Sequence, residues 1–141
     1  MRRWNGWGDE ANSMDLPKTA GDFLAQLIGQ ATPLADASLQ SVCAKVPESR
    51  LVAHPLVLTT AEERVRHARG QSLPDWLALR SGDIKVFPDG VSYPENTQQV
   101  KDLLSYAKTH NIELIPYGGG TSVAGHITPN ASKRPILTVD M

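Results

Sequence analysis

Three consecutive glycines, Gly118-Gly119-Gly120, stand directly behind the short run Ile112-Glu113-Leu114-Ile115 and its closing Pro116-Tyr117. The apolar run reads as a β-strand. Glycines in a row remove the steric bar to positive φ and let the backbone approach another group closely. Thr121-Ser122 add two hydroxyls at once. A turn of that make-up, at the carboxyl end of a strand, can aim several N–H groups at an anion such as the pyrophosphate of a dinucleotide. A tight turn that only ends the strand is the competing reading. The Thr-Ser pair and the later Gly125 weigh against it.

The segments before the turn supply its scaffold. Lys85-Val86-Phe87-Pro88 and Gly90-Val91-Ser92-Tyr93-Pro94 read as short extended pieces, each stopped by proline. Asn96 is placed to cap a helix, with Gln99 reaching back. Val100, Leu103, Leu104 and Ala107 form its apolar stripe, and His110-Asn111 ends it, asparagine tolerating the left-handed conformation found there. Pro135-Ile136-Leu137-Thr138-Val139-Asp140 reads as a further strand, with Met141 after it. Strand, helix and strand in this order define an α/β unit.

The earlier part is helical in pattern. Phe23, Leu24, Leu27 and Ile28 recur at helical spacing, bracketed by Gly29 and Pro33. Leu39, Val42 and Val46 suggest a short second helix before Pro47. Thr60 and Glu63 have capping-box form for a helix through Arg69 that Gly70 ends. Pro74 suits the first turn of a helix carrying Trp76, Leu77 and Leu79 and closed by Ser81-Gly82. Arg64, Arg66, His67 and Arg69 read as a solvated basic face. The expected division is a helical region over 1–83 and an α/β segment over 84–141. A single strand–helix–strand unit whose last strand is flush with the final residue leads us to expect an N-terminal fragment or half of a split gene.

Composition narrows the function classes. The chain has 141 residues, of which 40% are hydrophobic and 21% charged, enough for one domain's core. A formal net charge of −1 gives no electrostatic reason to expect nucleic acid. The single cysteine, Cys43, excludes an internal disulfide and a multi-cysteine metal site, and reads as a small buried hydrophobe. Arg2-Arg3 is followed by Trp4-Asn5-Gly6-Trp7-Gly8-Asp9 where an export signal needs an apolar segment. No run is long enough to span a bilayer, so a soluble cytoplasmic protein is expected.

Two phosphate-binding motifs can be eliminated. Gly120 and Gly125 have the P-loop separation, but His126 and Ile127 stand where Lys and Ser/Thr are required. Gly118 and Gly120 begin a Rossmann pattern, but Val123 occupies its third glycine position. What remains is a cradle of backbone amides without a lysine. Each such bond to a charged acceptor contributes about 1.5–3 kcal/mol.

The order and spacing of these segments carry a resemblance. Phe87-Pro88-Asp89-Gly90-Val91, Tyr93-Pro94-Glu95-Asn96 and Ile115-Pro116-Tyr117-Gly118-Gly119-Gly120-Thr121-Ser122 resemble the start of the FAD-binding domain of the vanillyl-alcohol oxidase/p-cresol methylhydroxylase family. Arg3-Trp4-Asn5-Gly6-Trp7-Gly8 and His67-Ala68-Arg69-Gly70-Gln71-Ser72-Leu73-Pro74-Asp75-Trp76 are similar to the lead-in of its alkyldihydroxyacetonephosphate synthase-like members. The fold so implied is a mixed α+β or α/β one, a helical region followed by the beginning of a PCMH-type FAD-binding domain.

The resemblance also implies roles. Pro116, Tyr117, Gly118, Gly119, Gly120, Thr121 and Ser122 wrap the FAD pyrophosphate, and Gly125 and His126 continue toward the flavin. Some family members attach FAD through a histidine directly after the glycines; here Thr121 holds that place, so the implied FAD is non-covalent. Catalytic residues and most of the substrate site fall outside the matching region. His54, His67 and His110 are expected in surface or structural roles. The implied reaction is ether-lipid synthesis on an acyl-dihydroxyacetonephosphate, with FAD-linked oxidation of a 2-hydroxy acid as the alternative and a non-catalytic remnant as a third. Implied partners are FAD, a small-molecule or lipid-like substrate, and a second copy or a complementing C-terminal chain.

Overall fold

The computed structural model describes residues 3–32 and 34–141; the expected stop at Pro33 lies outside them. Five helices precede or separate three short strands: α1 (Lys18–Ile28), α2 (Leu39–Cys43), α3 (Ala61–Arg66), α4 (Leu73–Ser81), β1 (Gly90–Ser92), α5 (Thr97–Thr109), β2 (Glu113–Tyr117) and β3 (Ile136–Asp140). The strands form one parallel sheet in the order β1-β3-β2. All three carboxyl ends therefore face the same way, which is where parallel sheets place ligands.

Local sequence explains most of these elements. Asn96 Oδ1 accepts the Gln99 amide at 3.0 Å and starts α5. Gln99 reaches back to the Glu95 amide, at 2.7 Å, rather than to that of Asn96. Asn111, at φ 53, turns the chain out of the helix as expected. α4 begins at Ser72 with a reciprocal capping box to Asp75, has Pro74 in its first turn and ends on Gly82. The capping box read at Thr60 and Glu63 does not form: Thr60 makes no side-chain cap bond, and Glu63 Oε2 accepts from Tyr93 Oη at 2.6 Å. α3 accordingly ends at Arg66, before Arg69.

Two apolar clusters hold the chain together. Leu103, Tyr106 and Ala107 of α5 pack with Ile112, just before β2, and with Leu137 and Val139 of β3. Full burial of a side chain such as Leu137 contributes roughly 1.5–3 kcal/mol. Leu104, expected in the stripe, is instead 54% exposed and Tyr106 takes the inward place. Val42, Val65, Ala68, Leu79, Ile84 and Phe87 form the other cluster, flanked by Trp4 and Cys43. Burial pushes the Cys43 thiol above its ordinary value. Phe87 belongs to this cluster, and Lys85–Pro88, read as a short extended piece, is not a strand of the sheet. α1 keeps its apolar residues uncovered, with Phe23 at 59% and Ile28 at 81% exposure.

A buried carboxylate ties the loop after α2 to the sheet. Asp89 accepts from Arg50 Nε at 2.9 Å, Arg50 Nη2 at 2.7 Å, the Arg50 amide at 3.1 Å and the Ile136 amide at 2.7 Å. Burial alone pushes the Asp89 carboxyl up, but these four bonds together outweigh it and hold the group below its ordinary value. A depressed pKa contributes stability above the unfolded value, ~3.9, that is lost as pH falls through the folded value. Acid titration of the protein is therefore expected to show a destabilising limb below about pH 4 that is weaker in Asp89→Asn. Equal acid limbs in the two proteins, followed by circular dichroism, contradict this.

Candidate flavin site

The glycine turn leaves β2 at its carboxyl end, as the sequence indicates. Tyr117 is buried inside the fold, with its ring 4.6 Å from that of His67, so its side chain is not at the loop surface. Its carbonyl accepts from the Met141 amide at 2.9 Å. Pro116 has no N–H and cannot donate. Gly118, Gly119 and Thr121 are exposed, Ser122 is half-buried and Gly120, at φ 69, is buried. Among the described residues, no backbone or side-chain oxygen accepts from the amides of Gly118, Gly119, Gly120, Thr121 or Ser122. Five consecutive amides thus have no acceptor among the described residues.

The space beside those donors is open. A Cβ built on Gly118 meets nothing within 4 Å, and one on Gly119 meets only Thr121 Cγ2 at 3.7 Å. The cradle has room for an anionic group against the backbone, as a pyrophosphate requires, and the fit is made by amides alone. Gly125, at φ 81, and His126 are exposed further along the loop, and His126 Nδ1 is 3.3 Å from Ser122 Oγ.

The loop is anchored from the helical region. The Gln71 amide donates to the Ser122 carbonyl at 2.7 Å, and Thr128 Oγ1 donates to Asp75 Oδ1 at 3.4 Å. No local sequence pattern announces these contacts, because the partners lie some fifty residues apart in the chain.

Beside the loop, the strand ends meet a polar cluster that sequence reasoning misread. His67 is buried, not on a solvated face. Its Nδ1 lies 2.7 Å from the Glu63 carbonyl, which only accepts, so that nitrogen carries a hydrogen. Its Nε2 lies 3.1 Å from Asp140 Oδ2 at the end of β3. Tyr93, just past β1, has its hydroxyl pushed upward in pKa by burial first and by the Glu63 hydrogen bond next. Arg64 is buried too: Nε donates to the Pro88 carbonyl at 2.7 Å and Nη1 to the Pro47 carbonyl at 2.6 Å. The Glu63 to His67 spacing was the available signal, since residues four apart share a helix face. A cavity of 340 Å³ lies against this cluster, lined among others by Arg3, Trp4, Arg69 and Asp140. His54 and His110 flank the Tyr106 ring at 4.6 and 5.0 Å, structural positions as expected.

A glycine turn at the carboxyl end of a parallel sheet suits a nucleotide cofactor, and the comparison with known proteins points to one class. Residues 88–141 match the model of the FAD binding domain family, and the fold resembles the PCMH-type FAD-binding fold. FAD is the cofactor of this domain.

Relatives of the chain include alkyldihydroxyacetonephosphate synthases. That of Dictyostelium discoideum is 35% identical over 78 residues, 55% of this chain and 13% of the relative. That of Caenorhabditis elegans is 35% identical over 82 residues, 57% of this chain and 14% of the relative. A mitochondrial D-lactate dehydrogenase [cytochrome] of Kluyveromyces lactis is 45% identical over 42 residues, 30% of this chain and 7% of the relative. Two solved structures of alkyldihydroxyacetonephosphate synthase superpose with TM-scores of 0.80 and 0.76 at 22% identity, covering 99% of this chain. The chain spans 13–14% of the length of these curated synthases and 31–32% of the solved chains.

Proposed function

We propose that Gly118 to Ser122 hold the pyrophosphate of a non-covalently bound FAD through backbone amides, as one wall of the flavin site of an alkyldihydroxyacetonephosphate synthase-like flavoenzyme. The single observation that carries this is the row of five amide donors without an internal acceptor beside open space. Thr121 and Ser122 add hydroxyls, and Gly125 and His126 lie on the continuing path. Pro116 and Tyr117 aim the loop as the last residues of β2. Thr121, where some relatives have a flavin-linking histidine, supports non-covalent binding. Bound FAD would supply the electron-accepting ring; the residues described here bind and orient it.

The reading extends to the whole protein's chemistry. Ether-lipid synthesis from a lipid-like substrate is favoured by the synthase similarity, which covers more of the chain than the lactate dehydrogenase similarity does. A second copy, or a complementing C-terminal polypeptide, would cover the apolar groove of Val100, Leu103, Leu104, Leu114, Pro116, Val139 and Met141.

Titration with FAD, followed by amide NMR, tests the assignment even when binding is weak. Shifts are expected first at Gly118, Gly119, Gly120, Thr121 and Ser122, and ADP should reproduce them because it carries the same pyrophosphate. Shifts confined to other regions remove the loop from the site.

A further inference from the structure

We propose that the turn joining α3 to α4, through Gly70 and Gln71, together with Asp75 in the first turn of α4, is the positioning device of the glycine-rich loop. Its consequence for cofactor binding rests on the FAD reading above; its hold on the loop does not.

Three contacts carry the inference. The Gln71 amide donates to the Ser122 carbonyl at 2.7 Å. Gly70 lies so close to the same carbonyl that a Cβ there would stand 2.3 Å from the Ser122 oxygen, an impossible separation. Asp75, only 6% exposed, accepts from Ser72 Oγ at 2.6 Å on one oxygen and from Thr128 Oγ1 at 3.4 Å on the other. The turn and the first turn of α4 therefore grip the loop at Ser122 and at Thr128. Trp76 Nε1 donates to Gln71 Oε1 at 2.6 Å and fixes the gripping residue in turn.

The grip sets direction as well as place. No peptide bond among the described residues is cis. In a trans peptide the carbonyl and the following N–H point opposite ways. With the Ser122 carbonyl drawn inward to Gln71, the Val123 N–H is turned away from the α3–α4 turn. Val123 is 67% exposed, and among the described residues no oxygen accepts from its amide. Holding donors in place before the ligand arrives reduces the ordering cost of binding. Gly70, Gln71 and Asp75 are thus positioning residues, acting on FAD only through the loop.

Gly70→Ala tests this, with Thr128→Val as a milder cut of the second tether. Amide NMR and hydrogen exchange are read first on the FAD-free protein, with the Leu137 and Leu103 methyl signals as a check that the sheet core is unchanged. The expected result is displaced, faster-exchanging amides from Thr121 to Val123 in Gly70→Ala. FAD affinity should fall about tenfold through lost preorganisation. Should Gly70→Ala fail to fold, Thr128→Val must still displace the loop amides. Parent-like loop signals in a folded variant overturn the proposal, as does a displaced loop with parent-like FAD affinity. If the parent takes up no FAD while the variant's loop still moves, the FAD reading fails and the positioning of the loop stands.

Discussion

Gly119→Asp is expected to abolish FAD retention while leaving the fold intact. The side chain fits, because a Cβ at Gly119 meets only Thr121 Cγ2 at 3.7 Å and the residue is not in the left-handed region. The change is therefore electrostatic. A carboxylate set among the free amides from Gly118 to Ser122 competes for them and faces the pyrophosphate. At ~5 Å and an effective dielectric of ~20, each like-charge pair costs about 3 kcal/mol. That is more than a hundredfold in Kd. Flavin absorbance per protein after desalting, and a calorimetric FAD titration, measure the loss, and a thermal melt verifies the fold. Unchanged FAD content in a folded Gly119→Asp protein removes the pyrophosphate assignment. Gly119→Ala, with no charge, should keep most of the affinity.

The second large effect is on stability. Asp89→Ala removes a carboxylate whose side chain is 4% exposed, together with all four of its bonds. Breaking a buried ion pair from one side typically costs 3–5 kcal/mol. Arg50, at 44% exposure, regains water, which lowers the figure to about 2–4 kcal/mol. Part of that loss comes from the Ile136 amide, buried at the head of the central strand and left without an acceptor. Urea unfolding at neutral pH should show a lower midpoint with an unchanged slope. A loss below ~0.5 kcal/mol, the range of an ordinary surface substitution, means the pair is not a structural tie.

What the sequence made legible follows from the range of the interactions involved. α4 and α5 are bounded by residues at or beside their own ends: Ser72, Pro74 and Gly82 for one, Asn96 and Asn111 for the other. The place of the glycine loop, directly after β2, is legible for the same reason. Distant partners defeat local reading. Arg64 and His67 look like solvated charges until Pro47, Pro88 and Asp140 arrive to receive them. Glu63 leaves its expected cap for Tyr93, thirty positions on. Leu104 and Tyr106 exchange roles because the helix's orientation on the sheet, set by tertiary packing, decides which face is inward. The grip of Gly70 and Gln71 on Ser122 belongs to the same class of contact.

The strand order has a consequence for the way the chain is made. β3 lies between β1 and β2 and pairs with both, while β1 and β2 do not pair with each other. On a ribosome, β1 emerges with only the Leu58 bridge to Val91 in place, β2 emerges before β3, the strand it pairs with, and Asp89 waits for the Ile136 amide. The glycine loop leaves the exit tunnel before the strand that steadies its base. Sheet and loop must then assemble in one late step once residues 136–140 are free, which makes the nascent chain dependent on whatever shields Leu103, Ile112 and Leu114 until that strand arrives.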